Sequence, residues 1–299
     1  MSYFLAFWLA LCWGTAFLAS KNIVDVLPPY WGAFARVLAG LLFFAVFFGI
    51  KRASLKCSLR EIWRPWTIGF MLILLPFAAL SWGIQHTVPT IAGIFNGTVP
   101  IWSFIAGAIL LKGVDRFTWR RAAGVIIGLA GLLVIMRPQW QAALQVPAGK
   151  MALYGYGALL VMALSYGVGN VITKKIMVDN TAVNWEANTF HQYVFAAVVL
   201  LVISLLIEPM PSLTVFNTKL VLSVISAGVF SSAVAFLLMI ALMKRWGATR
   251  MASVTYFSPI IAMGTDILFR GRTPHMPELV GMVLIFISLW LIQKKVNAN

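Results

Sequence analysis

The chain has 299 residues, 61% of them hydrophobic and 10% charged, with a mean hydropathy of +0.92 and a formal net charge of +15. A water-soluble domain of this length needs far more polar surface to cover itself. Ten membrane-crossing helices of about 20 residues each would use about two thirds of the chain, leaving short loops and no room for a soluble catalytic domain.

Ten apolar stretches follow in chain order, at residues 2–24, 31–50, 66–85, 91–111, 119–136, 151–173, 185–207, 220–243, 251–269 and 277–292. The first begins almost at once, without a basic leader, and reads as a retained helix rather than a cleaved signal peptide. Trp31, Trp66, Trp119, Trp140, Trp185 and Trp246 fall near stretch ends, as an interfacial aromatic belt requires. Cys12 lies in the first stretch and Cys57 in a basic loop, so a disulfide between them is not expected.

The basic residues orient the chain. Lys51, Arg52, Lys56, Arg60 and Arg64 follow the second stretch. Lys112, Arg116, Arg120 and Arg121 follow the fourth, Lys174 and Lys175 the sixth, Lys244, Arg245 and Arg250 the eighth, and Lys294 and Lys295 the tenth. These 16 stand against 6 on the other side (Lys21, Arg137, Lys150, Lys219, Arg270 and Arg272), with Arg36 inside a stretch. Basic loops stay in the cytoplasm, so both termini are expected there. The positive charge is thus a topology signal confined to short loops, and no nucleic-acid partner is expected.

Two passages repeat in order. ALCWGTAFLASK at residues 10–21 matches ALSYGVGNVITK at 163–174 at an offset of 153, and Pro100 matches Pro259 at an offset of 159. Each half then holds five helices, residues 1–138 and 150–295, and an odd number inverts the second half. The expected fold is an all-α membrane protein of ten transmembrane helices, built as two inverted five-helix repeats. Such repeats are common in secondary transporters and place the substrate near the bilayer midplane.

Trp13–Phe17 (Trp-Gly-Thr-Ala-Phe), Arg36–Leu41 (Arg-Val-Leu-Ala-Gly-Leu), the Pro100 and Pro259 helices, and the glycines that follow them (Gly124, Gly128, Gly131 and Gly281) carry a resemblance over essentially the whole chain. In their order and spacing they resemble the EamA-type branch of the drug/metabolite transporter superfamily. The resemblance implies ten helices, cytoplasmic termini, a central cavity between two halves, no cofactor, and export or import of amino acids, other metabolites or drugs. It also implies an integral, multi-pass protein of a bacterial cytoplasmic (inner) membrane. One departure stands out. Where that family often has Gly-Glu after the fourth and ninth helices, this chain has Lys112-Gly113-Val114-Asp115 and Arg270-Gly271-Arg272.

Polar groups inside apolar helices are costly and tend to face a cavity or each other. Three sets are candidates for touching substrate. The first is Trp13, Thr15, Tyr166 and Asn170 on helices one and six, where Gly14 and Gly167 equally permit simple packing. The second is Asn96, Thr98, Thr255, Tyr256 and Ser258, which precede Pro100 or Pro259. Each proline removes its own N–H and frees the carbonyl four residues back, so both are hinge or gate candidates. The third is Trp82, Gln85 and His86, with Asn188, His191 and Gln192 spaced along one face of helix seven as a cavity wall would require.

Arg36 could bind a substrate carboxylate. It could also snorkel to the outer surface or find an internal partner, and these two are the favoured readings. Only Glu186 and Asp266 among the acids read as intramembrane, both near stretch ends, and Asp266 pairs at helical spacing with Arg270. With no midplane carboxylate, facilitated transport, or coupling through another group, is expected.

His86, His191 and His275 are far apart and no HExxH occurs, so neither an enzyme nor a metal site is expected. A channel or non-transport subunit remains as a rival, as does a carrier of drugs or other lipophilic compounds. A buried acid, which lipophilic cations call for, is missing. The expected substrate is a small polar metabolite, an amino acid or related compound, moved outward by alternating access. Gly124 and Gly128 suit close packing, either within one chain or between two, so monomer and homodimer both fit.

Overall fold

The computed structural model describes residues 2–111, 117–137, 141, 145, 149–180, 183–215, 217–258, 260 and 276–293, and among them all regular structure is helical. In chain order the helices are α1 (Ser2–Val24), α2 (Pro29–Ile50), α3 (Trp63–Gln85), α4 (Ile91–Leu110), α5 (Trp119–Ile135), α6 (Lys150–Val178), α7 (Trp185–Ile207), α8 (Thr218–Trp246), α9 (Ala248–Ala252) and α10 (Met276–Gln293). Seven of these, all but α5, α9 and α10, are long and apolar enough to cross a membrane. Pro259, Asp266, Arg270, Arg272 and His275 lie outside the described residues, as do Lys112, Arg116, Trp140, Lys294 and Lys295.

Local chemistry sets several of the boundaries. Pro29 occupies the first turn of α2, where its missing N–H leaves no bond unmade. Asn184 and Asn217 cap α7 and α8 by accepting from the backbone N–H of Ala187 and Leu220, at 3.0 and 2.9 Å. Gly247, at φ 81°, ends α8 and starts α9 in a conformation that side chains disfavour.

Several long helices here are interrupted. The α-helical ladder of α1 breaks at Thr15, whose hydroxyl bonds back to the carbonyl of Cys12 at 3.2 Å. That of α4 breaks at Gly97 and Thr98, one residue before Val99 and Pro100 open its second piece. α9 passes into a 3-10 turn, Ser253–Tyr256. π-helical segments occupy Phe70–Leu74 of α3, Lys174–Val178 of α6 and Ser226–Val234 of α8. Such segments widen a helix locally and are frequent at functional sites.

Glycines mark the closest crossings. α8 meets α2 where Gly228 lies against the backbone of Arg36, and α3 meets α7 where Gly69 lies against that of Gln192. α5 and α10 cross at Gly124, Gly131 and Gly281, so these glycines serve packing inside one chain. The largest buried apolar cluster joins α1, α2, α3, α7 and α8 around Leu9, Phe44, Phe48, Tyr193 and Phe236. A second gathers Leu132, Ile135, Tyr256 and Ile285 from α5, the turn after α9, and α10. Leu42, Val46, Ile109, Ile126, Leu206 and Trp290 are exposed, an apolar exterior that suits lipid rather than water.

Candidate functional site

A cavity of about 90 Å³ lies among the helices. Its wall takes Trp13 and Phe17 from α1, Arg36 from α2, Leu72, Ile73, Phe77 and Leu80 from α3, and Asn96 and Val99 from α4. Tyr166 and Asn170 come from α6, Tyr193 from α7, Ser231, Ser232, Phe236 and Met239 from α8, Ala252 from α9, and Thr255 from the turn after it. The interruptions described above converge on this space. Leu72 and Ile73 belong to the π-segment of α3, Ser231 and Ser232 to that of α8, and Asn96 ends the first piece of α4.

Arg36 is the one cationic lining residue of the cavity among the described residues and is only 5% exposed. Its Nε donates to the Ser232 hydroxyl at 2.9 Å and its Nη1 to the Ser20 hydroxyl at 3.3 Å. Its guanidinium carbon lies 3.9 Å from the centre of the Phe77 ring, a cation–π contact. The snorkelling reading is therefore corrected. Two hydroxyls and an aromatic face hold the head inside, and the side chain does not reach for the surface. Lys21–Asp25, Arg64–Glu61 and Lys174–Asp179 are ion pairs among the described residues, and none of them involves Arg36.

The other polar wall groups divide in two. Asn170 donates to the Ser103 hydroxyl at 3.3 Å, Thr255 to the Ala252 carbonyl at 2.9 Å, and Ser232 to the Ala227 carbonyl at 2.7 Å. The Asn96 amide and the hydroxyls of Tyr166 and Tyr193 make no hydrogen bond among the described residues. Neither does the Nη2 of Arg36.

Of the residues singled out in the sequence, Trp13, Arg36, Asn96, Tyr166, Asn170 and Thr255 come together here. The rest lie elsewhere. The Thr15 hydroxyl stands 3.5 Å from that of Ser231, just off the wall. Thr98 accepts from the Trp102 indole at 3.0 Å and donates to the Phe95 carbonyl at 2.7 Å. Pro100 is buried in α4. Tyr256 is buried against α5, its hydroxyl donating to the Val125 carbonyl at 2.9 Å, and Ser258 lies beside Gly14.

The helix-seven stripe is a second correction. Asn188 and Gln192 are buried and bonded to each other at 2.6 Å, with Gln192 turned to the sulfur of Met177. His191 bonds the Leu55 carbonyl at 3.0 Å, tying the loop after α2 to α7. All three serve packing, because the face they share looks onto α6 and that loop. Trp82 and Gln85 line a separate cleft of about 580 Å³ with Asp25, Tyr30 and Glu208, and the His86 ring meets that of Trp82 edge to face, centroids 4.7 Å apart. There Glu208 accepts from the N–H groups of Tyr30 and Trp31 at 3.0 Å, capping α2 from outside its own helix. Glu278 is buried at the start of α10, an acid that the sequence reading did not place inside the membrane.

Sequence reasoning missed Ser20, Phe77, Tyr193, Ser231 and Ser232. The available signal was the Ser231–Ser232 pair inside an otherwise apolar stretch.

The model of the EamA-like transporter family matches residues 1–137 and again 153–293. A WAT1-related chloroplastic protein of Arabidopsis thaliana is 24% identical over 94% of this chain, which spans 66% of that protein's length. A Salmonella typhimurium protein named "Probable amino-acid metabolite efflux pump" is 24% identical over 96% of this chain and 93% of its own. A solved crystal structure superposes with a TM-score of 0.73 at 18% identity, covering 97% of this chain and 96% of that one.

Proposed function

We propose a mechanism and a substrate class for this chain, which belongs to the EamA-like transporter family and is an integral, multi-pass membrane protein. The chain moves a small polar metabolite, an amino acid or a related compound, out across the cytoplasmic (inner) membrane of a bacterium. It does so by alternating access between two inverted five-helix halves, residues 1–138 and 150–295, with both termini inside. The Salmonella relative's name supports the substrate class. The observation that carries the reading is the cavity itself, which draws wall residues from every helix but α5 and α10 and presents polar groups without partners among the described residues.

Matched contacts support the inverted halves. Gly14 of α1 lies against Ser258 after α9, while Gly167 of α6 lies against Trp102 and Ser103 of α4. Gly228 of α8 lies on α2, while Gly69 of α3 lies on α7. An exchange of halves maps each contact onto its partner, and α5 onto α10. Alternate parting of the two halves would open this space to one side of the membrane and then the other. With no carboxylate on the wall among the described residues, the reading is of transport that is facilitative or coupled through another group.

Counterflow of radiolabelled amino acids in proteoliposomes tests the reading. Saturable trans-stimulation is the expected result. Flux that rises linearly with concentration and shows no trans-stimulation would be that of a channel and would overturn it.

A further inference from the structure

Among the described residues nothing on the cavity wall is acidic, and the one charge there is a guanidinium. A buried cation normally draws a carboxylate partner, because an unpaired charge in a low-dielectric interior is costly. Arg36 has only two serine hydroxyls and a Phe77 face among the described residues. Its Nη2 meets no protein acceptor there, beside the unengaged Tyr166, Tyr193 and Asn96 groups. Much of the remaining wall is apolar, including Phe17, Leu72, Phe236 and Met239.

From this pattern we infer that the cavity selects a compound with one carboxylate, an apolar body and no ammonium group. An α-keto acid or another uncharged-nitrogen derivative of an amino acid fits better than the amino acid itself. The carboxylate pairs with Arg36, whose planar fork suits two carboxylate oxygens. The tyrosine hydroxyls and the Asn96 amide donate to it or to a neighbouring carbonyl. Among the described residues the wall offers an ammonium group neutral acceptors only, such as the amide oxygens of Asn96 and Asn170, so a zwitterion gives up the solvation of one charge without gaining an ion pair there. This inference rests on the transporter reading above and sharpens its substrate class.

Thermal shift of the purified wild-type protein against two matched sets tests it: ketoleucine, leucine and isoamylamine, then pyruvate, alanine and ethylamine. Within the set that fits, the keto acid is expected to stabilise most, the amino acid less, and the amine not at all. An amino acid or amine that stabilises as well as its keto acid overturns the inference, and so does silence from all six. Arg36→Gln is expected to weaken keto-acid binding at least about tenfold, the loss of a charge-assisted pair. Arg36→Lys should restore part of it. Unchanged binding in Arg36→Gln overturns the inference, and the wild-type ranking decides the matter if that variant does not fold. In proteoliposomes, net keto-acid uptake carries one negative charge and should rise when the lumen is made positive with a potassium gradient and valinomycin. Keto-acid binding lost in Arg36→Gln but without counterflow of any probe overturns the transport reading alone. Leucine counterflow unaffected by Arg36→Gln overturns this inference alone.

Discussion

Gly131 of α5 and Gly281 of α10 face each other across the helix crossing: a Cβ on Gly131 would stand 2.8 Å from the Gly281 carbonyl oxygen, and one on Gly281 2.6 Å from that of Gly131. Backbone lies on both sides, so no flexible side chain can give way. Alanine at either position is expected to push the helices apart and cost about 1–3 kcal/mol as overpacking. Thermal unfolding in detergent reads this as a lowered Tm. The double variant should cost less than the two singles combined, because the first substitution has already opened the crossing.

The cavity and the helix-seven stripe make opposite claims on similar residues. Asn96 lines the cavity with a free amide, whereas Asn188 spends its oxygen on Gln192. Asn96→Ala is expected to raise the KM of transport several-fold with little change in Tm. Asn188→Ala is expected to leave KM alone and lower stability by about 1–3 kcal/mol, since it leaves the buried Gln192 amide with only the weak Met177 sulfur acceptor. Tyr256→Phe belongs with Asn188: it removes one buried hydrogen bond to Val125, at about 1 kcal/mol, and leaves KM unchanged. A KM shift in Asn188→Ala, or none in Asn96→Ala, would reverse the assignment.

These contrasts show what was legible in the sequence. Apolar length and the order of Trp13–Phe17, Arg36 and Pro100 were enough to place the chain in its family. They also named Trp13, Arg36, Asn96, Tyr166, Asn170 and Thr255, six of the wall residues. The side that each helix turns to its neighbours was not legible. Helix seven is apolar almost all round, so its polar residues mark no outward or inward face, and the spacing of Asn188, His191 and Gln192 fits a packing contact as well as a wall. Ser231 and Ser232 reach the cavity through a π-segment, which rotates residues away from the positions a regular helix would give them. The sequence leaves a surface and an internal partner for Arg36 equally open, because its acceptors, Ser20 and Ser232, lie 16 and 196 residues away along the chain.

Glu208 ties the end of α7 to the start of α2 through two backbone N–H groups. Glu208→Ala is expected to cost about 1–2 kcal/mol by leaving those donors without the carboxylate and removing a negative charge from a helix N-terminus. Glu208→Gln should retain about half of the effect, because one oxygen can still accept. Thermal unfolding of the three proteins checks the ranking. An alanine variant as stable as wild type would show that water replaces the cap at no cost.

Cys57 offers a test of orientation. It lies in the basic loop after α2, both cysteines are free, and Cys12 is held within α1. If basic loops face the cytoplasm, a membrane-impermeant maleimide should not label Cys57 in intact cells of a Cys12→Ser variant, and should label it in inverted membrane vesicles. The thiolate is the reacting form, and partial burial pushes the Cys57 thiol up from its ordinary value, with Glu61 adding to the shift and Arg64 opposing it. Fewer thiolates are then present at neutral pH than in a free thiol. Labelling in the vesicles should therefore be slower than that of a model thiol, and it should go on accelerating with pH after the model thiol has levelled off. Rapid labelling of intact cells would place this loop outside and reverse the orientation of the whole chain.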